Sequence, residues 1–325
     1  MNVKADNHRE AGLFLRSRRD RLSPDEIGVP LTNTRRVSGL RRDETARLAG
    51  ISVEYYTRLE QGRAGTPSDS VLNTVSRALQ LEETGLSYLR DLYERTPVKK
   101  PRAAKPERVR PTLRRLLDAV TTPALIFGRC TDVLAWNSGA AALLGDFGAR
   151  PADQRNLARL VLLDDGYASL MADWENVPRE TVGILRMAAG RHPDDPKLAA
   201  LVGELTLKSK DFSRWWNTHD VRQKAHGTKR LDHPVVGSIK ISYETLHLPN
   251  EPDQTLVTYF ASEPDSPADT ALTLLMNWTA PDPVAPGDYD IPQNVIECAS
   301  ELLDYPRHAF TGAAYVRHDP DPTIS

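Results

Sequence analysis

The tightest constraint in this chain is the segment Arg42-Asp43-Glu44-Thr45-Ala46-Arg47-Leu48-Ala49-Gly50-Ile51-Ser52-Val53-Glu54-Tyr55-Tyr56-Thr57-Arg58-Leu59-Glu60-Gln61-Gly62. Two helices that cross closely need a small side chain at their contact, and Ala46 supplies it. The tight turn that follows needs a residue at ease with positive φ, and Gly50 stands four positions on. Ile51, Tyr56 and Leu59 then fall where a second helix must pack on the first, and Ser52 is suited to cap it. The pattern predicts a helix-turn-helix whose second helix leaves Ser52, Val53, Glu54, Tyr55, Thr57, Arg58 and Gln61 to face a groove of double-stranded DNA. Arg41 and Arg42 open the first motif helix, where the helix dipole disfavours cations. A DNA phosphate bound at that terminus would account for both. The alternative at this stage is a small helical bundle in which Ala46 and Gly50 coincide by chance and both arginines extend into water.

Charge divides the 325 residues into three. Residues 1–110 carry 22 Lys and Arg against 15 Asp and Glu; residues 111–262 carry 18 of each; residues 263–325 carry 2 against 11. A basic head is the electrostatic footprint of a nucleic-acid binder. Between head and body, residues 96–111 hold four prolines and six basic residues and show no apolar periodicity. That composition predicts a semi-rigid basic linker, stiff enough to transmit a movement of the body. A second boundary is expected near Glu263-Pro264-Asp265-Ser266-Pro267. The division read from the sequence is therefore a helix-turn-helix domain over 1–95, a linker over 96–111, a ligand-binding domain over 112–263 and an acidic tail over 264–325.

The head reads as helices: an amphipathic stretch from Ala11 to Arg21, a short turn opened by Ser23-Pro24-Asp25-Glu26, a loop over 31–39, then helices at about 42–49, 52–61, 68–79 and 83–93. In the body, Ala124–Phe127 and Val133–Trp136 read as short strands, and residues 137–144 and much of 156–217 as helical. Ile239, Ile241 and Tyr243 alternate with polar residues, which marks a half-buried strand. The alternation slips at Leu246 and Leu248, which predicts a bulge near Glu244-Thr245. Leu256 to Phe260 returns as another strand. The fold class is multidomain: an all-α head followed by an α+β domain with an antiparallel sheet. Within the tail, residues 294–303 read as one amphipathic helix.

In the head, Gly50-Ile51-Ser52-Val53-Glu54-Tyr55-Tyr56-Thr57-Arg58-Leu59-Glu60-Gln61-Gly62 resembles the helix-turn-helix of xenobiotic-response-element-type bacterial regulators. In the body, Asp132-Val133-Leu134-Ala135-Trp136-Asn137, Phe212-Ser213-Arg214-Trp215-Trp216-Asn217-Thr218-His219-Asp220-Val221 and His233-Pro234-Val235-Val236-Gly237 carry a further likeness. With them the stretch from about 10 to 262 resembles the MmyB-like transcription regulators. The resemblance implies a PAS-like body with a pocket for a fatty-acid-like molecule. Asn156-Leu157-Ala158-Arg159-Leu160 stands where that family usually has a more aromatic stretch.

All five tryptophans lie outside the head. Aromatics with a few polar groups line small-molecule pockets, and the ligand contacts expected are Trp136, Asn137, Trp216, His219, Arg222 and His233. Ordinary core packing for the tryptophans, and backbone partners for His219, Arg222 and His233, are the plainer alternatives. Trp216, His219 and Asp220 share one face if their helix runs on. His219-Asp220 also suggests a rival, a metal-dependent HD-like hydrolase with a DNA-binding head. A second rival is a body that binds a protein partner. His219, His226 and His233 recur every seven residues, a spacing unsuited to metal ligation on a helix. No HExxH, G-x-S-x-G, GxxxxGK[ST] or GxGxxG occurs. The reading is a transcription regulator that is not an enzyme and needs no cofactor. It is expected to be cytoplasmic, with no membrane association, and to bind DNA as a homodimer on a two-fold site and a small apolar ligand. Cys130 and Cys298 are too few for a disulfide framework, and Cys130 reads as a small hydrophobe.

Overall fold

The computed structural model describes residues 3–28, 39–93, 107–172, 176–221 and 225–279. The loop expected over 31–39 falls outside them apart from Gly39. So do most of the linker, Arg222, Trp174, Cys298 and the acidic residues beyond 279.

The head is five helices: α1 (Val3–Arg21), α2 (Arg42–Ala49), α3 (Val53–Glu60), α4 (Asp69–Ala78) and α5 (Glu83–Tyr93). The turn between α2 and α3 forms as the sequence requires. Gly50 takes φ 68°, a left-handed conformation that would strain any side chain. Ser52 Oγ caps α3 by accepting from the Tyr55 amide at 3.1 Å. Ala46, Tyr56 and Leu59 are fully buried beside Phe14 and Leu89. Asp25–Ile27 makes the short turn expected after Pro24.

The body begins before the linker's expected end. Arg110 pairs with Glu251 at 2.5 Å, and the Glu107 carboxylate accepts from the Arg129 amide at 3.2 Å. Helix α6 (Pro111–Ala119) leads into strands β1 (Ala124–Phe127) and β2 (Val133–Trp136). Six helices follow: α7 (Ser138–Leu144), α8 (Leu157–Leu163), α9 (Asp165–Leu170), α10 (Asn176–Arg191), α11 (Pro196–Lys208) and α12 (Lys210–Trp216). Strands β3 (His226–His233), β4 (Gly237–Leu248) and β5 (Glu251–Phe260) and helix α13 (Pro267–Thr279) complete the described chain. The antiparallel sheet runs β2-β1-β5-β4-β3. Period-2 alternation buries both of its faces. Leu125, Val133, Ile241, Tyr243, Val257 and Tyr259 enter a core with α7, α8, α9 and α13. Ala124, Ile126, Ala135 and Leu256 meet Leu113 and Leu117 of α6 on the other side. A third cluster packs α8, α10, α11 and α12 around Leu185, Leu205 and Phe212, with Cys130 buried within it.

Three expectations need correction. The β4–β5 register is regular from Ser242↔Phe260 through His247↔Thr255 and shifts only at His247/Leu248, so there is no bulge at Glu244-Thr245. The strand simply continues while its burial fades toward the end, leaving Leu246 exposed. The body does not end at 263, because Ala271, Leu272 and Leu275 of α13 are buried in the sheet core. Finally, α12 stops at Trp216 and His219 has φ 51°, so His219 and Asp220 do not extend its face.

Asn137 ties this architecture together. Its side-chain oxygen accepts from the amides of Ala124 (3.0 Å) and Ala140 (2.9 Å), and its NH2 donates to the carbonyls of Val120 (3.2 Å) and Thr122 (2.8 Å). One buried amide thereby caps α7, closes β1 and anchors the end of α6. Asn137→Ala strips these groups of partners and removes a cap, and lowers the unfolding free energy by about 2–3 kcal/mol. Urea denaturation of the full chain measures this.

Candidate functional site

On the head, the outer face of α3 is built from positions spaced i, i+3, i+4 and i+7: Glu54, Thr57, Arg58 and Gln61. Glu54, Arg58 and Gln61 are exposed, and Val53 is 46% exposed at the helix start. The other expected DNA contacts are partly engaged within the fold. Ser52 Oγ is the helix cap, the Thr57 hydroxyl donates to the Val53 carbonyl at 2.7 Å, and Tyr55 is half-buried against the head core. The Arg41 amide donates to Glu44 Oε2 at 2.7 Å. Arg42 Nε lies 2.6 Å from Glu60 Oε2, and the same carboxylate holds Arg19 Nε at 2.5 Å through Oε1. Glu60 is nearly fully buried, so its charge is compensated by these two arginines. Arg19 also donates to the Leu40 carbonyl at 2.6 Å, which fixes the entry to α2. Sequence reasoning placed Glu60 only in the motif string and missed this double role, since a carboxylate at the end of a helix gives no signal of burial.

In the body, the expected ligand residues are not brought together. Trp136 stands beside the sheet core, tilted against Phe147 with ring centroids 5.5 Å apart and the Arg155 guanidinium over it. The hydrogen-bonding groups of Asn137 are taken up by backbone. His233 Nε2 lies 2.9 Å from the Ala142 carbonyl, and its Nδ1 accepts from the amides of Val235 and Val236 at 3.2 and 3.4 Å. Its ring is therefore saturated by backbone groups. Arg222 is outside the described residues.

Trp216 and His219 sit instead where body meets head. Trp216 stacks on Phe212, with centroids 5.3 Å apart, and the Arg186 guanidinium lies 4.2 Å above its ring. Arg186, 2% exposed, pairs with Glu10 of α1 and donates to the Trp216 carbonyl. His219 Nδ1 lies 3.0 Å from Glu10 Oε1 and 3.1 Å from Arg186 Nη1. Burial pushes the Glu10 carboxyl up, but the His219 hydrogen bond and the Arg186 charge outweigh it and hold it below its ordinary value. A cleft of about 240 Å³ opens beside this cluster, lined by Glu10, Tyr88, Leu92, Leu198, Val202 and Trp216. Asp220 is clasped by three arginines: Arg18 and Arg21 of α1 at 2.7 Å and Arg179 of α10 at 2.8 Å. His219 and Asp220 thus face arginines and a glutamate. Among the described residues no group of three or more His, Cys, Asp or Glu side chains is placed to hold a metal ion.

Inside the sheet core the structure shows a feature that composition did not reveal. Tyr167 of α9, Tyr243 of β4 and Tyr259 of β5 converge, with Tyr243 and Tyr259 directly opposite each other on neighbouring strands. Burial, and then Tyr259 beside it, drive the Tyr167 hydroxyl far above its usual range. Burial does the same to Tyr259, and Tyr243 is pushed up to about 12. Tyr167 and Tyr259 are both buried within this cluster. The two hydroxyls are neutral donors inside an apolar core. The strand alternation of Tyr243 was legible in sequence; its convergence with Tyr167, across three elements, was not.

Burial tends to raise the Asp220 carboxyl, yet Arg21, Arg179 and Arg18 hold it well below the carboxylate range. A depressed folded value contributes stability that is present above the unfolded pKa of about 4 and lost only as pH falls through the folded value. Asp220→Asn leaves three arginines around an uncharged amide and destabilises the chain by about 1–3 kcal/mol, between the values for exposed and buried pairs. Urea titration at pH 7 tests this, and the wild-type clasp survives acidification to pH 4.

Two family models match the chain. One, described as a helix-turn-helix domain, covers residues 10–89, and the other, described as the MmyB-like transcription regulator ligand binding domain, covers residues 109–275. No curated protein matches it. Among the described residues no helix is long and apolar enough to cross a membrane. The second match spans half of the chain and includes the tyrosine core and the first part of α13, so the chain belongs to the family of proteins carrying the MmyB-like transcription regulator ligand binding domain, joined here to an N-terminal helix-turn-helix.

Proposed function

We propose that this ligand-sensing DNA-binding regulator reads DNA with the outer face of α3 and holds a small, apolar, fatty-acid-like molecule in its body. Arg58 and Gln61 face the bases or flanking phosphates, with Glu54 and Val53 beside them; Ser52, Tyr55, Thr57, Arg41 and Arg42 shape and support that surface. The head acts as a homodimer on a two-fold site, because such modules read half-sites about one helical turn apart. The observation that carries the DNA reading is the exposed face of α3, on a helix whose turn, cap and buried side are all fixed by the fold. Support for the ligand comes from the family match of the body and from the buried tyrosines Tyr167, Tyr243 and Tyr259 of its core. Phenol hydroxyls set in an apolar core suit a guest with an apolar body and one hydrogen-bond acceptor, and a fatty acid has that form. Trp136, at the rim of the same core, lies close enough to contribute to the wall.

The test is a gel-shift titration of the full chain against a duplex selected from a random library. Wild-type affinity falls steeply with salt, as phosphate neutralisation releases counterions. Arg58→Ala weakens binding by about 1–3 kcal/mol with the fold intact. Unchanged affinity in that variant would remove the outer face of α3 from the DNA contact. Mass spectrometry of small molecules extracted from the purified protein identifies the guest, and a guest with no apolar chain contradicts the ligand reading.

A further inference from the structure

We propose that α10 is the coupling helix of this protein, carrying changes in the body's core to the head through one stripe of its side chains; the proposal rests on the regulator reading above. Helix α10 contributes to three of the molecule's cores. Val177 is buried in the sheet core, Val182 and Leu185 in the helical cluster beside it, and Met187 in the core of the head. Arg179 reaches Asp220 of the body, which Arg18 and Arg21 of the head also hold, and Arg186, Met187, Gly190 and Arg191 meet the head directly. Their spacings of i, i+7, i+8, i+11 and i+12 place them on one side of the helix.

Four of the five have defined contacts, Arg179 through Asp220 and the others directly. Arg179 shares Asp220 with Arg18 and Arg21, and Arg186 pairs with Glu10. Arg191 Nε lies 2.8 Å from Asp91 Oδ2 of α5. At Gly190 the helix backbone lies against the Tyr88 ring, so closely that a Cβ there would stand 2.6 Å from Cε2. That ring is held in place: it is 1% exposed, edge-on to Phe14 at 5.2 Å, and its hydroxyl lies 3.2 Å from Glu10 Oε1.

The path continues to the DNA-facing helix. Helix α1, which carries Glu10, Phe14 and Arg18, also packs on α3, and its Arg19 grips Glu60 at the end of α3. The docking is also poised to change. It is rich in charges that water can reclaim, and the buried Nε atoms of Arg179 and Arg186 have no partner among the described residues. An ionic contact of this kind holds a geometry without the large apolar gain that would lock it. A shift between two dockings biases ligand and DNA reciprocally, as any coupling between sites must.

Hydrogen–deuterium exchange of the full-length protein, with and without the selected duplex, tests this directly. In the wild type the duplex changes amide exchange in α10 and α9 by roughly five-fold or more, the lower end of ordinary coupling. In Gly190→Leu, which wedges Tyr88 away, the response is confined to the head. If that variant fails to fold, Arg191→Glu weakens the body response and Arg191→Glu with Asp91→Lys restores it. A wild-type response confined to the head overturns the proposal, as does a body response kept unchanged in Gly190→Leu and Arg191→Glu. Failure to select any duplex overturns the regulator reading, and this proposal with it.

Discussion

Ten of the sixteen residues of α10 are buried, including Arg186, so the helix needs covering on nearly every side. The sheet and the helices α8, α11 and α12 cover part of it, and the head covers the remainder. That requirement shapes much of the molecule. It brings α1 and α5 onto the body, and it explains why arginines stand on a buried helix face, each facing a carboxylate. It also explains why a glycine is needed at position 190, where the backbone meets a tyrosine ring held on its other sides. Removing the head would expose Met187 and leave Arg186 without Glu10.

The sequence was most legible where local chemistry decides the structure. Gly50 in a left-handed turn, Ser52 as a cap and Ala46 at a helix crossing depend on neighbours a few residues away, and the head followed from them. The sheet was legible for the same reason, since Ile239, Ile241 and Tyr243 alternate in and out without regard to distant partners. Legibility failed where partners lie far apart in the chain. Glu10 and Arg186 are separated by 176 residues, and Arg18 and Asp220 by 202; neither pair leaves a local pattern. The prolines and acids after 263 suggested an end to the body, yet Leu272 and Leu275 a few residues on are core.

The candidate ligand residues that the structure describes are scattered through the fold rather than gathered at one place. Asn137, His219 and His233 were singled out because polar groups near aromatics often meet ligands. In the fold Asn137 and His233 satisfy backbone groups at helix and strand ends, and His219 serves the contact between head and body. Polar side chains inside a fold are usually spent on the fold itself. Tyr167 and Tyr259, two residues that look like ordinary core hydrophobes in sequence, are gathered with Tyr243 in the sheet core. A guest held in the sheet core, as proposed, would influence DNA binding only through packed structure.

That influence is the centre of the account, and one comparison measures it. The dissociation constant for the selected duplex is determined at fixed salt for the protein as purified. It is determined again after bound small molecules are stripped on a lipophilic resin, and once more after the extract is returned. The account predicts that stripping changes the constant by about 5- to 150-fold and that the extract restores it. Equal constants in all three states, with the guest shown by mass spectrometry to have left and come back, would contradict it.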